Sequence, residues 1–469
     1  MSNLIFLCVL IAGLGLFAWQ IKRVRQNINL GRPDDRSDRP QERLKNMVLV
    51  AFGQQKMFKR IIPATLHFIL YISFIIINIE VLEIIIDGLA GQHRILGQYT
   101  GFLYDGLMFS NELLAVLVIV ASCILLVRRN VVKLKRFSGQ EMEESKGLIR
   151  VRNYSHLDAN VILITEIALM LALLMFNTAD ITLHNLGVGV LSPGELPGSY
   201  PVSEGLASLQ ILGTNAGTLH LLERIGWWGH IIGILAFMNY LPISKHFHVL
   251  VAFPNVYFSN VNLKPKGELS NMPQVTEEMK AMFDPSYTPA EDPNAPLRFG
   301  ARDVTDLSWK SLMDAYTCTE CGRCTSVCPA NITGKKLSPR KIVMDVRDRL
   351  EEIQKFKLVP NEEGVMVPGN GVAGAEEAAA NTLLGERYIT EEELLACTTC
   401  NACVEACPVN INQVDIIVDL RRYLVMEESK MPEAWQAMAN NIENNGAPWP
   451  MPAASRFDWA NELEVVAEK

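Results

Sequence analysis

Two short runs of cysteines carry the clearest chemistry in this sequence. Both runs have the spacing C-x2-C-x2-C-x3-C-P, and their members are Cys318, Cys321, Cys324 and Cys328, then Cys397, Cys400, Cys403 and Cys407. Thiolates are soft ligands that suit iron–sulfur clusters. In this spacing, three cysteines surround one cluster and the fourth binds a second cluster. The two runs therefore predict two [4Fe–4S] clusters.

The fourth cysteine of each run is expected to cross to the other cluster. The ligands predicted for one cluster are Cys318, Cys321, Cys324 and Cys407. Those predicted for the other cluster are Cys397, Cys400, Cys403 and Cys328. Tetrahedral zinc is the alternative, but zinc sites usually combine separated C-x2-C pairs and need neither the triplet nor the trailing proline. Two complete copies of the pattern favour iron–sulfur clusters.

Three histidines in the apolar first half are candidate haem ligands. His230 and His248 lie eighteen residues apart in the apolar stretch 225–251. Eighteen helical residues complete five turns, so both rings would leave one face, about 27 Å apart along the axis. That separation is close to the hydrocarbon thickness of a bilayer. His67, in the apolar stretch 61–86, lies at the depth of His248 and is its predicted partner.

A second haem has less support. No histidine on the second apolar stretch lies opposite His230. The outer loops would have to fold inward to supply a partner histidine, which would be His93, His184 or His220. His246 lies sixteen residues after His230 and would point to nearly the opposite face. We expect it to occupy an interfacial position or to contact a quinone. One haem b is expected.

Five apolar stretches could hold these histidines in a membrane. Each approaches or exceeds the 20 or so apolar residues that a spanning helix needs; they are 4–20, 61–86, 107–127, 161–180 and 225–251. Loops 21–60 and 128–156 are rich in Lys and Arg, which predicts that both are cytoplasmic. The amino terminus is then outside a bacterial inner membrane, and the carboxy-terminal half is inside. Basic residues after the first stretch favour a retained anchor over a signal peptide.

The predicted fold class is all-α, with a five-helix transmembrane domain followed by an α-helical ferredoxin domain that binds two clusters. The predicted divisions are 1–253 for the membrane domain, 254–304 for an irregular proline-rich linker, 305–430 for the ferredoxin domain and 431–469 for a tail that docks a partner. Thr390 and Glu393 form a capping box that starts a helix before the second run. A hairpin or loop insertion is predicted at 359–374.

Composition excludes some partners. The net charge is −8 without an evident basic face, which argues against nucleic acid. Eight of the ten cysteines lie in the two runs, so they indicate metal ligation in a reducing compartment rather than disulfides. Cys8 and Cys123 lie in apolar stretches, where each is expected to be a small buried hydrophobic residue.

The paired runs in a helical setting resemble the ferredoxin domain of the heterodisulfide reductase C-subunit and glycolate oxidase iron–sulfur family. The five-span half with His230 and His248 is similar to the nitrate reductase γ-subunit family, which binds haem b and exchanges electrons with quinol. Their fusion resembles membrane Fe–S oxidoreductases that link electron-transfer flavoprotein or similar donors to quinone. Unlike the γ-subunit family, the chain has no second histidine on its second span. Fused members of this group continue into cysteine-rich CCG domains, and no CCG motif occurs in this sequence. The resemblance therefore implies that those domains reside on a separate partner subunit.

The expected function is electron transfer between a cytoplasmic partner and membrane quinone through the clusters and haem. The expected partner is a CCG-domain Fe–S subunit or an electron-transfer flavoprotein. In one alternative, the chain is a haem-free anchor that carries a di-cluster ferredoxin domain. In another, it belongs to a reductase whose catalytic site lies on the CCG-domain subunit. The sequence has no G-x-G-x-x-G fingerprint after a strand and no nucleophile motif, so no catalytic residue is assigned.

Overall fold

Long apolar helices form the first half of the protein. A computed structural model of the chain describes residues 2–132, 134, 154–189, 196–261, 272–288, 298–369 and 371–461. The helices of this half are α1 (Ser2–Ile28), α2 (Pro40–Met47), α3 (Ile61–Ala90), α4 (Gly97–Thr100), α5 (Phe102–Asn130), α6 (Tyr154–Asn185), α7 (Pro201–Ser208), α8 (Ala216–Tyr240) and α9 (His248–Tyr257). Five of them, α1, α3, α5, α6 and α8, are long and apolar enough to cross a membrane. The predicted five-helix membrane domain is confirmed.

The five long helices pack side by side. α6 contacts both α5 and α8, while α1 contacts α3 and α8. At Gly226, α8 closely approaches the backbone of α6, because a Cβ at this position would lie 2.9 Å from the backbone nitrogen of Phe176. Small residues allow helices in lipid to approach closely, and van der Waals contact then stabilises the pair.

The last apolar stretch is not one continuous helix. α8 ends at Tyr240, and two 3₁₀ turns separate it from α9, which begins at His248. Pro242 lies in the first of these turns, where its ring and missing N–H disrupt α-helical hydrogen bonding. The prediction of a single helix over 225–251 is therefore wrong. The five-turn relation between His230 and His248 fails with it.

The loop between α3 and α5 folds into one end of the bundle. Arg94, which is 3% exposed, donates from Nε to Asp180 on α6 at 3.0 Å. His93 Nε2 lies 3.0 Å from the same carboxylate, and the backbone N–H of Arg94 donates to Asp87 at 2.8 Å. Buried charges persist only when they are paired. A polar network therefore closes this end of the bundle.

Short helices build the second half. They are α10 (Pro273–Phe283), α11 (Trp309–Thr317), α12 (Pro329–Ile332), α13 (Pro339–Lys355), α14 (Ala375–Ala380), α15 (Glu391–Leu395), α16 (Ala402–Ala406), α17 (Gln413–Met426), α18 (Glu433–Asn445) and α19 (Asp458–Asn461). β1 (Val359–Pro360) and β2 (Met366–Val367) pair antiparallel as a hairpin, as expected for 359–374. Thr390 and Glu393 form the predicted capping box. The predicted all-α class is confirmed.

The second half packs against the ends of α1 and α9. Asn27, near the end of α1, donates to the hydroxyl of Tyr316 on α11 at 2.7 Å. Val24 of α1 and Phe247, just before α9, belong to the same apolar core as α11, α13 and α17. The two halves therefore share a core at this junction.

Two smaller expectations are wrong. The segment 273–283 forms α10 instead of irregular chain. Cys8 and Cys123 are exposed on α1 and α5 rather than buried within the bundle. The basic residues Lys133, Lys135 and Arg136, and the proline-rich segment 289–295, lie outside the described residues.

Arg349 on α13 provides a stability test. Its side chain is fully buried and donates to Asp303 and to Glu352, each at 2.7 Å. We predict that Arg349→Met lowers the free energy of unfolding of the second half by about 3–5 kcal/mol, because it leaves the buried Asp303 carboxylate without its cation. Glu352 keeps an ion pair with Arg387 at 3.2 Å. Chemical unfolding of the detergent-solubilised protein, followed by circular dichroism, measures this change.

Lys336→Met is the matched control. Lys336 and Glu392 form an ion pair with both side chains more than 60% exposed, and such pairs contribute about 0–1 kcal/mol. Equal losses of stability in the two variants would contradict the role given to Arg349.

Candidate iron–sulfur and histidine sites

The two cysteine runs adopt the same loop conformation. The residue before the second cysteine is left-handed in both runs, with φ of 55° at Glu320 and 53° at Thr399. The residue after the second cysteine is also left-handed, with φ of 68° at Gly322 and 59° at Asn401. Gly and Asn tolerate this conformation better than other residues. The repeated sequence thus produces a repeated backbone.

The prolines after the fourth cysteines set a second shared feature. Cys328 has φ −73° and ψ 117°, and Cys407 has φ −73° and ψ 123°. A residue before proline is pushed into this extended region. The short helical turn before each fourth cysteine therefore ends there, and the fourth cysteine leaves the loop formed by the other three.

The sulfurs that are predicted to share one cluster line a common cavity. Its walls include Cys318, Cys321 and Cys324 from the first run and Cys407 from the second. Within the described residues, no three His, Cys, Asp or Glu side chains converge closely enough to hold a single metal ion.

The other four cysteines form a second set of neighbours. Cys397, Cys328 and Cys400 all lie close enough to Cys403 to influence its charge. Between the two sets, Cys324 and Cys403 pack together with Val404 and Val414. The structure thus brings the fourth cysteine of each run to the first three of the other.

Burial makes these thiols hard to ionise alone. It raises the pKa of Cys318 to about 11, and the pKa values of Cys403 and Cys407 to about 12. Thiolates at these positions need a bound cation, which the irons of a cluster supply. The donor set, eight thiols with no other ligand type among them, fits two iron–sulfur clusters.

Backbone N–H groups point at some of the sulfurs. Thr399 donates to the Cys397 sulfur and Ile411 to the Cys407 sulfur, each at 3.4 Å. Hydrogen bonds to cluster sulfurs and solvent exposure both influence reduction potential. Cys400 is exposed, while three cysteines of the first set, Cys318, Cys324 and Cys407, are buried. The second set is therefore the more accessible to solvent.

His67 and His248 come together at one end of the bundle. Their ring centroids are 6.1 Å apart. Two imidazoles on one iron, each with a metal–nitrogen bond of about 2 Å, would have centroids about 6 Å apart. His67 Nδ1 lies 3.1 Å from Gln54 Oε1, and His248 Nδ1 donates to the carbonyl of Lys245 at 3.0 Å. Ligating histidines usually bond an oxygen through the other nitrogen in this way, so this pair fits a haem.

The remaining bundle histidines have different surroundings. His230 Nδ1 donates to the carbonyl of Leu169 at 2.9 Å, and among the described residues its buried Nε2 has no hydrogen-bond partner. His246 lies beside His248, with ring centroids 5.5 Å apart. His93 Nε2 already contacts the carboxylate of Asp180, at 3.0 Å. His230 is thus available as a ligand, but no second histidine is placed opposite it in the described part.

The first cysteine run touches the segments that hold the His67 and His248 rings. Arg323 donates to the carbonyl of Lys56 at 3.1 Å, in the same loop as Gln54. Glu320 forms an ion pair with Lys245 at 3.6 Å. Sequence reasoning missed these residues because the cysteine motif leaves its intervening positions unspecified and Lys245 and Lys56 belong to no motif. For Glu320 and Arg323, the available signal was a charge inside a cysteine run.

The cysteine region matches a known family of domains. Residues 317–412 match the 4Fe–4S dicluster domain. The chain is 32% identical, over 98% of its length, to the probable iron-sulfur-binding oxidoreductase FadF of Bacillus subtilis, and spans 61% of that protein.

Two further relatives match in part. The chain is 30% identical, over 52% of its length, to EtfAB:quinone oxidoreductase of Syntrophomonas wolfei, and covers 32% of that protein. It is 28% identical, over 26% of its length, to the C-subunit of the Ferredoxin/F(420)H(2)-dependent CoB-CoM heterodisulfide reductase of Methanosarcina acetivorans, and covers 53% of that protein. No solved structure is significantly similar to this chain.

These matches confirm the predicted 4Fe–4S dicluster domain and its similarity to the heterodisulfide reductase C-subunit. The match to FadF covers both halves of the chain. The individual cysteine ligands, the histidine ligands and the similarity to the nitrate reductase γ-subunit stay predictions.

Cysteine substitutions test the crossing of ligands. We predict that Cys407→Ala and Cys321→Ala abolish the same cluster signal in electron paramagnetic resonance, because both sulfurs line one cavity. Cys328→Ala should abolish the other signal. Each variant should lose about four of eight irons.

Cys123→Ala is the control, because this exposed cysteine lies outside both runs. It should retain all the iron. If Cys407→Ala and Cys400→Ala removed the same signal, the fourth cysteines would not cross.

Proposed function

We propose that this chain is an electron-transfer subunit that connects a cytoplasmic redox partner with the membrane quinone pool through two [4Fe–4S] clusters and one haem b. One observation carries the proposal. The loop of the first cysteine run contacts both segments that hold the His67–His248 pair, through Arg323 and Glu320. The candidate sites therefore adjoin across the junction of the two halves.

Each group has a defined set of candidate ligands. Cys318, Cys321, Cys324 and Cys407 would hold the first cluster, and Cys397, Cys400, Cys403 and Cys328 the second. His67 and His248 would hold the haem through the Nε2 atoms that their Nδ1 contacts leave available. When bound, these groups supply one-electron chemistry, and the chain contributes position and environment.

Exposure suggests which end meets the soluble partner. Cys400 of the second set is exposed, so a partner could approach this set directly. The first set is adjacent to the histidine pair, because Glu320 and Arg323 lie inside its run. The second set would then exchange electrons with the partner, and the first would face the membrane half.

The proposed divisions of the chain are 1–253, 254–304, 305–430 and 431–469. The last of them, the carboxy-terminal tail, is the proposed docking segment. α18 exposes Trp435, Met438 and Ile442 at spacings that share one helix face. Trp449 and Phe457 farther along are more than 60% exposed. Large exposed apolar patches often mark interaction sites. The partner would be a CCG-domain Fe–S subunit or an electron-transfer flavoprotein.

Quinone is the proposed membrane partner. The relative named EtfAB:quinone oxidoreductase and the resemblance of the five-helix half to the nitrate reductase γ-subunit support it. His246, beside the His67–His248 pair, is the residue that we propose near the quinone. The basic loops 21–60 and 128–156 favour a cytoplasmic second half and an outer amino terminus, in a bacterial inner membrane.

A second haem at His230 is not part of the proposal. His230 offers a buried Nε2, which suits a ligand or a hydrogen bond to a bound group. His93, the outer-loop histidine that folds inward, already contacts Asp180. One axial candidate without a second does not complete a bis-histidine site.

Cofactor counts test the proposal. The purified protein should contain about eight non-haem irons and one haem b per chain, by iron–sulfide assay and pyridine haemochrome. We predict that His67→Ala and His248→Ala each lose the haem almost completely and retain the non-haem iron, because only the histidine site is removed.

His246→Ala is the control, because this ring lies next to His248 but is not a proposed ligand. It should retain the haem. Loss of haem in this variant together with its retention in His248→Ala would transfer the ligand role to His246. Clusters without any haem in the wild-type protein would make the five-helix half an anchor.

A further inference from the structure

We propose that Lys245 is a positioning residue that couples the loop of the first cluster to the haem ligand His248, and that its charge makes the first cluster easier to reduce. This inference rests on the proposed function. The sequence alone gives Lys245 no role, because it precedes the two candidate histidines as an ordinary charged residue near the end of a span.

The backbone of Lys245 fixes His248. Its carbonyl accepts the proton of His248 Nδ1 at 3.0 Å. Its own N–H donates to Asp158, near the start of α6, at 3.0 Å. Lys245 therefore links the side chain of His248 to the start of the membrane helix α6.

The side chain of Lys245 reaches the first cysteine run. Its Nζ lies 3.6 Å from Glu320 and 3.9 Å from Asp158, and its side chain is 10% exposed, against 1% for each carboxylate. Glu320 stands between Cys318 and Cys321 with a left-handed φ of 55°.

Arg347 completes the group on the cluster side. It forms an ion pair with the other oxygen of Glu320 and donates to the carbonyl of Cys318 at 3.4 Å. A continuous series of ion pairs therefore connects α6 to the cysteine loop, through Asp158, Lys245, Glu320 and Arg347. A displacement of Lys245 would reach both Cys318 and His248.

Stability alone is a weak reason for this arrangement. Burying ion pairs costs desolvation that the attraction between the charges often fails to offset. The two halves are also joined by an exposed pair, Lys59 with Glu405, and by the shared apolar core. A buried cation paired with the cysteine loop has another consequence: it stabilises the negative charge that reduction adds to a cluster held by that loop, since opposite charges attract more strongly away from water.

Redox titration of Lys245→Met, monitored by electron paramagnetic resonance, tests this inference. The midpoint potential of the first cluster should fall, by an amount equivalent to about a tenfold change in its reduction equilibrium. The potential of the second cluster should stay unchanged. The low-spin haem signal should also shift, because Lys245→Met removes the side-chain ion pairs with Glu320 and Asp158 that help to hold the turn before His248.

Three companion variants separate charge from folding. Lys245→Arg should restore most of the potential, and Asp158→Asn, which removes a negative charge beside Lys245, should raise it. Lys59→Met removes an exposed pair between the same two halves and should change neither potential. The first cluster is identified as the signal lost in Cys321→Ala.

Two results would overturn the inference. One is a first-cluster potential in Lys245→Met equal to that of Lys59→Met. The other is an equal shift of both clusters, which would indicate a general structural change. Wild-type protein without haem would defeat the proposed function instead, and the cluster potentials would still report on Lys245.

Discussion

Holding eight cysteine sulfurs, five of them on buried residues where an uncompensated charge is costly, is the constraint on which the rest of the second half depends. Burial raises the pKa values of the Cys318, Cys403 and Cys407 thiols, so their ionisation needs bound iron. The loops meet this constraint with left-handed residues, prolines and backbone N–H groups around the sulfurs. The short helices then pack these loops against one core that also contains α1.

The membrane half satisfies a related constraint, because lipid provides no partners for polar groups. The chain breaks between α8 and α9, and the segment around the break finds its partners within the protein. Ser244 caps the second 3₁₀ turn, and Asp158 accepts the N–H of Lys245. The break is also what places His248 beside His67, at the junction with the cysteine loops.

The junction combines contacts of different strength and purpose. Apolar packing around Val24 and Phe247 stabilises the docking without directional demands. Exposed ion pairs such as Lys59 with Glu405 contribute little energy in water. Buried charges at Glu320, Lys245 and Asp158 are costly but directional. These charges connect the turn before His248 with the loop of the first cysteine run.

The sequence by itself determined the dicluster domain, the helical class and the number of apolar helices, because local spacing and hydropathy dictate each of them. The capping box at Thr390 is local in the same way. The break at Pro242 was a local signal too, but a proline permits several backbone paths, and the long-helix prediction over 225–251 failed there. Only the tertiary structure decided that Gln54 and Lys245 support the histidine pair, and that Glu320 links it to the cysteines. The Lys245–Glu320 pair joins residues far apart in the chain. Gln54 and Lys245 lie in irregular turns before the histidines that they contact, and no spacing rule predicts the shape of such turns.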